Sequence, residues 1–215
     1  MPRRAIQIAA PLAVIAAIVV VATIALSSNH SKTKLPGRVH RTSASQGYRG
    51  GVVSPVKEAP PISLRDYRGR PITLRQYRGK VALVTFLYTH CPDVCPLIAS
   101  NLKVTLARLG PAARHVQAIA VSVDPHGDTP KSVADFLRVR GMTGKMEYLI
   151  GSASQLGRVW SAWNVGSQRD ASKPDLVAHS ALVYGITASG KLQTVYPANF
   201  NPADIMHDVP MLAAS

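Results

Sequence analysis

Cysteine is scarce in this chain. Its 215 residues hold two, Cys91 and Cys95, and both lie within "YTHCPDVCP" (88–96). A disulfide between them closes a very small loop, and loop-closure entropy gives such a loop little to stabilise. A structural staple is therefore a poor account of the pair. Acidic residues are scarce too, 11 against 25 Lys and Arg. Aromatics are few and the basic residues are scattered, which speaks against nucleic acid as a partner. Charged residues make up only 17% of the chain and hydrophobic ones 47%. That balance is too apolar for a disordered chain and too interrupted for a polytopic membrane protein. There is no internal repeat.

Charge is missing altogether from Ala5 to Leu26. At roughly 1.5 Å per residue this run reaches about 33 Å, enough to span a hydrocarbon core of ~30 Å. The apolar core of a cleaved signal peptide is usually only about 7–15 residues long. The run therefore reads as a retained transmembrane anchor (5–26) behind a basic tail (1–4). No cysteine follows it, so there is no lipid-attachment site there. Residues 27–50 contain no acid and are rich in Ser, Gly, Lys and Arg, and they read as a flexible basic linker. Tail and linker together take seven of the Lys and Arg, so about half of the formal net charge of +14 belongs to the body, 51–215. The positive charges on the two sides of the span do not fix its orientation. Arg3-Arg4 ahead of a single span is the usual start of an export signal, and it places the body on the periplasmic or extracytoplasmic side.

Within the body, "ISLRDYRGRPITLRQYRG" alternates and carries two Arg-Gly turns, which predicts a short hairpin. "VALVTFLY" (81–88) and "VQAIAVSVD" (116–124) read as buried central strands. "LIASNLKVTLARLG" spaces Leu97, Ile98, Leu102, Leu106 and Leu109 helically and stops at Gly110. "TPKSVADFLRVRG" has a Thr129 cap, Pro130 at the first helical position and a Gly141 stop. "MEYLIG" reads as a strand and "SASQLGRVWSAWNV" as a helix. "SALVYGIT" and "KLQTVYP" read as two strands joined at "ASG", and "NPADIMHDVPMLAA" as a last helix, broken or kinked near Pro210. The order is hairpin, β-α-β-α, β-α, β-hairpin, α. It is an α/β layout with a parallel core sheet and an antiparallel edge, and a cysteine pair directly after the first central strand makes it thioredoxin-like.

The pair sits where a strand ends and a helix begins. Pro96 predicts a helix start near Asp93 to Pro96, with Asp93 as cap and the Cys95 sulfur at the positive helix end, where a thiol loses its proton more readily. Redox chemistry and metal binding both follow from such a pair. Three residues between the cysteines, rather than the two of the common redox motif, let both sulfurs open onto one soft ion, with histidine as the natural third donor. Of the five body histidines, His90 points away from Cys91 by strand alternation, and His115, His126 and His207 read as surface residues. His179 precedes "SALVYGIT", in the loop that a thioredoxin layout lays against the cysteine turn. A peroxidase of this superfamily needs a Pro ahead of Thr89 that is not there. Zinc lacks a clear fourth ligand.

"FLYTHCPDVCP" with "VSVDPHGDTP" and "AHSALVYGI" resembles the Sco/SenC family of cytochrome oxidase copper-assembly proteins, over roughly residues 55 to 212. The resemblance implies one copper ion, Cu(I) or Cu(II), held by Cys91, Cys95 and His179. It implies delivery of that copper to the copper A centre of cytochrome c oxidase. The alternative is a thiol–disulfide oxidoreductase that reduces the cysteines of that centre, with Cys91 attacking and Cys95 resolving. Implied partners are the copper subunit of the oxidase and a copper donor or thiol reductant. Asp124 matches the acid of the family's second motif; its plainer reading is a turn residue after a strand. Ala178 stands where an acid often precedes the histidine, and "LIASNL" is more apolar than the family's usual acidic run.

Overall fold

The computed structural model describes residues 47–169 and 177–215. The expected tail (1–4), the expected anchor (5–26) and the linker as far as residue 46 lie outside the described residues. Among the described residues no helix is long and apolar enough to cross a membrane.

The strands are β1 (Gly51–Glu58), β2 (Ser63–Asp66), β3 (Pro71–Thr73), β4 (Val81–Leu87), β5 (Val116–Ser122), β6 (Met146–Ile150), β7 (Ser167–Arg169), β8 (Val177–His179), β9 (Leu182–Ile186) and β10 (Lys191–Pro197). The helices are α1 (Val94–Leu109), α2 (Pro130–Arg140), α3 (Ala153–Trp163) and α4 (Pro202–Ala214). Eight strands form one sheet in the order β1-β10-β9-β4-β5-β6-β2-β3, and β7 with β8 forms a separate two-stranded ribbon.

All seven residues of β4 are buried, as its unbroken apolar run requires. It pairs in parallel with β5, and β5 with β6, so helices must carry the chain back each time. Helix α1 buries Cys95, Ile98, Ala99, Leu102 and Thr105, one stripe at helical spacing. Thr129 accepts a hydrogen bond from the Ser132 amide to cap α2, which ends on Gly141 at φ 64°. Ser152 caps α3 in the same way. Trp163 of α3 packs on Phe86 of β4 and Tyr184 of β9, at ring-centroid distances of 5.8 and 5.3 Å. The expected hairpin is β2–β3, and Asp66 holds its turn by accepting from the Arg68 and Arg70 amides.

Besides the β7–β8 ribbon, which no sequence pattern announces, three features differ from the sequence expectation. Helix α4 runs unbroken through Pro210, whose ring sits on the exposed side near the helix end. β1, unassigned by pattern, pairs antiparallel with β10 as an edge strand and buries none of its side chains completely. Packing also begins inside the stretch read as linker, because Tyr48 and Gly50 are buried.

Asp208 of α4 is what holds that entry segment. Its carboxylate is fully buried. It accepts from the Arg49 amide at 2.9 Å, the Gly50 amide at 2.8 Å, the Tyr196 hydroxyl at 2.8 Å and His207 Nδ1 at 2.9 Å. Gly50 must be glycine here, since a Cβ on it would stand 2.6 Å from the Tyr196 ring. Asp208→Ala leaves two amides and a phenol unpaired and is expected to destabilise the domain by about 3–5 kcal/mol, against about 1 kcal/mol for Tyr196→Phe. Urea unfolding of the two variants beside the wild type checks the ranking. Equal midpoints for Asp208→Ala and wild type would remove the clasp from the account.

Candidate metal centre

Strand polarity brings the site together. β4 runs toward the cysteine turn, so its C-terminal end marks one end of the sheet. β9 pairs antiparallel with β4, with Thr85 opposite Val183. The residues just before β9, His179 among them, therefore lie at that same end. The 84 residues separating Cys95 from His179 reduce to 3.9 Å between Cys95 Sγ and His179 Nε2.

The local turn arranges the two sulfurs. Tyr88 ends the apolar run, and its carbonyl accepts from the Cys91 amide at 3.4 Å. Asp93 sits at the N-cap position of α1, but its side chain makes no capping hydrogen bond. Cys91 Sγ accepts from the Cys95 amide instead, at 3.4 Å, so a sulfur does the work expected of a carboxylate. Both cysteines are free thiols. Cys91 is 7% exposed and Cys95 0%, so solvent reaches the first of them only.

The electrostatics reverse the sequence expectation for the helix end. Cys91 is the sulfur that loses its proton readily, with a pKa lowered to about 5. The Cys95 thiol donates to it, and the Asp93 and Cys95 amides and the Tyr88 hydroxyl add to that effect, together outweighing burial. Cys95 is pushed far up, by its hydrogen bond to Cys91 and by burial. The free amides of the first helical turn point back at Cys91, which is why it and not Cys95 collects their partial charge. Burial pushes the His179 imidazole down, against the pull of the Ser180 carbonyl and of Cys91. A proton on Nδ1, held by Ser180 O at 3.3 Å, leaves the Nε2 lone pair facing Cys95. At neutral pH the trio is one thiolate, one thiol and one neutral imidazole.

A sulfur and an imidazole nitrogen on a shared ion, at roughly 2.3 and 2.0 Å, stand about 3.8 Å apart in trigonal geometry. The Cys95–His179 separation fits that, and two sulfurs with one imidazole are a donor set for a soft ion. Among the described residues no three His, Cys, Asp or Glu side chains stand in ligating geometry as they are. The remaining histidines are not brought in. His90, His115, His126 and His207 are exposed. His90 lies in the turn after β4, where strand alternation no longer applies, and its Nδ1 stands 3.2 Å from Thr89 Oγ1. Asp124 is buried, and its carboxylate accepts from the His126 amide.

Sequence reasoning passed over two neighbours. Asp128 is buried under the cysteine turn, where it accepts from the Thr89 amide at 2.8 Å and the Tyr148 hydroxyl at 2.9 Å. Burial pushes its pKa up, against those hydrogen bonds. Its position directly before the Thr129 cap was the available signal. Tyr88 is the other: its ring meets the His179 imidazole edge-on at 5.8 Å.

The family model described as SCO1/SenC matches residues 54–214. Among curated proteins, the mitochondrial SCO2 homolog of Bos taurus is 30% identical over 63% of this chain and 52% of its own length. A SCO2-like protein of Rickettsia felis is 25% identical over 70% of this chain and 75% of its own length. The chain spans about half the length of the mammalian relatives it matches first. Among solved structures, Bradyrhizobium japonicum ScoI with copper bound is 28% identical, with a TM-score of 0.65 over 73% of this chain and 99% of its own. Apo Sco1 of Thermus thermophilus is 27% identical, with a TM-score of 0.68 over 77% and 96%. The fold is thus the thioredoxin-like one of the Sco proteins, and the chain belongs to the SCO1/SenC family.

Proposed function

We propose that this protein carries one copper ion on Cys91, Cys95 and His179, and hands it to the copper A centre of cytochrome c oxidase. The approach of His179 Nε2 to Cys95 Sγ carries the reading, and the copper-bound ScoI relative supports it. The body is held at the membrane by residues 5–26 and faces the periplasmic or extracytoplasmic side, and the linker gives it reach. Copper is cargo here, so the site has to grip and release. Cys91 offers a ready thiolate at the solvent side. Cys95 must give up its proton as copper binds, and neutral His179 needs no proton change. With Cys91 already ionised above about pH 5, loading releases about one proton. Apparent affinity then rises about tenfold per pH unit between pH 6 and 8.

The full chain in detergent, loaded with copper, tests the donor set. One copper per chain is expected, with a sulfur-to-Cu(II) charge-transfer band. Each of Cys91→Ser, Cys95→Ser and His179→Ala is expected to lose that band and at least about 100-fold in affinity. A His179→Ala variant with unchanged metal content and spectrum would remove the histidine from the site. Calorimetry in buffers of different ionisation enthalpy counts the protons. Two released protons would mean that Cys91 is not the resting thiolate.

The sulfur asymmetry favours a second reading, reduction of the copper A cysteines. A low-pKa, solvent-side Cys91 beside a buried, protonated Cys95 is an attacking and resolving pair. The Cys91 thiolate attacks a sulfur of the client disulfide, whose other sulfur leaves as thiolate. Cys95 then attacks Cys91 and frees the second client thiol, so the client gains two electrons and the 91–95 pair becomes a disulfide. Alkylation of Cys91 is expected to be flat above about pH 6 and to fall about tenfold per unit below pH 5, with Cys95 unreactive throughout. Oxidase assembly rescued by His179→Ala but not by Cys91→Ser would favour this reading over delivery.

A further inference from the structure

We propose that this chain carries a second ligand site, for a small carboxylic acid with an apolar body, at the end of the sheet opposite the cysteine turn. A cavity of about 350 Å³ lies there. Ala82 at the start of β4 and Ile186 at the end of β9 are paired strand neighbours, and with Ile62 they form its buried lining, each 2% exposed. Leu74 and Tyr77, both half-buried, complete the apolar part. Five residues of β4, about 17 Å of strand, separate Ala82 from Leu87 and the cysteine turn. The volume falls at the lower end of the roughly 300–1,000 Å³ of small-molecule sites. One short chain or ring fills it, and a two-chain lipid does not fit.

The segment "LRQYRGK" (74–80) builds one wall. Leu74–Tyr77 is a 3₁₀ turn, in which side chains three apart eclipse, so Leu74 and Tyr77 share a side. Arg75, Arg78 and Lys80 are exposed and line the mouth. Backbone hydrogen bonds join the walls before any ligand enters. The Leu74 amide donates to the Ile62 carbonyl at 3.1 Å, Ala59 to Gly190 at 3.0 Å and Gly79 to Ala188 at 2.9 Å. Charge then decides the class of ligand. Among the described residues the cavity is lined by three cations and one acid, Glu58. Glu58 is taken by Arg78, at 2.8 Å. Arg78 is also held against the turn at Gly190 (φ 92°), where a Cβ would stand 2.6 Å from its guanidinium carbon. Arg75 and Lys80 have no acid paired with them among the described residues. An apolar interior with unmatched positive charge at its mouth suits the complementary molecule, an apolar body ending in one carboxylate.

Octanoate titrated into the metal-free full chain in phosphatidylcholine discs tests the site by methyl NMR. The Ile62 and Ile186 methyls are expected to shift saturably, while those of Val94, between the two cysteines, stay in place. The uncharged 1-octanol is expected to bind about tenfold more weakly. Arg75→Gln and Lys80→Gln are each expected to weaken octanoate about threefold to fivefold and to leave 1-octanol unchanged. Glu58→Gln releases Arg78 and is expected to tighten octanoate about twofold to threefold. All three replaced side chains are exposed, so the variants keep the fold. No saturable shift at Ile62 and Ile186, equal binding of octanoate and 1-octanol, or wild-type affinity in the Arg75→Gln, Lys80→Gln double variant overturns the inference. The same shifts in phosphatidylglycerol discs without octanoate would give the cavity to a bilayer lipid and overturn the free acid. Copper takes no part, so the outcome does not depend on the three-donor reading.

Discussion

The site depends on one constraint, the opposed direction of β4 and β9. A strand running toward the cysteine turn and a neighbour running away from it put two chain reversals at the same end of the sheet. Neither reversal needs to know about the other. Hydrogen-bond register, fixed by which face of each strand is apolar, delivers them to one place. With Val84 opposite Tyr184, Phe86 and Tyr184 share a face, and Trp163 covers both. A slip of one residue would turn Tyr184 out of that aromatic cluster and displace His179 from Cys95. The aromatic cluster of Phe86, Tyr184 and Trp163 thus protects the geometry of the centre although it contributes no donor to it.

The second theme is the inequality of two identical side chains. Cys91 and Cys95 are four residues apart, yet one is held ionised and the other protonated. The cause is direction. The unpaired amides at the start of α1 point out of the helix toward the preceding turn, where Cys91 lies, while Cys95 is already inside the first helical turn and buried. A metal carrier and a reductant both make use of that inequality, in one case as a ready ligand beside a displaceable proton, in the other as nucleophile beside resolving thiol.

Much of the fold was legible in the sequence because its signals were local. The apolar run of β4, the Thr129 cap with Pro130 behind it, and the alternation around the Arg-Gly turns each specify their element without outside help. β1 was illegible because an edge strand with mostly exposed side chains, and a proline in its middle, has no apolar pattern to show. The β7–β8 ribbon was too short to carry one. In the site, the cysteine pair announced itself by isolation. His179 was singled out by the thioredoxin layout and then by resemblance, since spacing alone cannot see across 84 residues. The charge state of Cys95 is not legible from its proximity to a helix end, because the aim of the amides, toward Cys91, decides it. Tyr88 and Asp128 stayed hidden for a related reason: each reads as ordinary until its buried partners are known.

The clasp at Asp208 also bears on the order in which the domain can close. β1 finds its partner only in β10, and the amides of residues 49 and 50 find theirs only in α4, 158 residues and more further along. A chain made from its N-terminus therefore presents its first strand unpaired until almost all of the rest has emerged. Exposed side chains and a proline suit a strand that has to wait, because they give it little to pair with wrongly. The last contact to form is then the one that ties the entry point to the body, so completion of the fold and fixation of the leading segment become a single event.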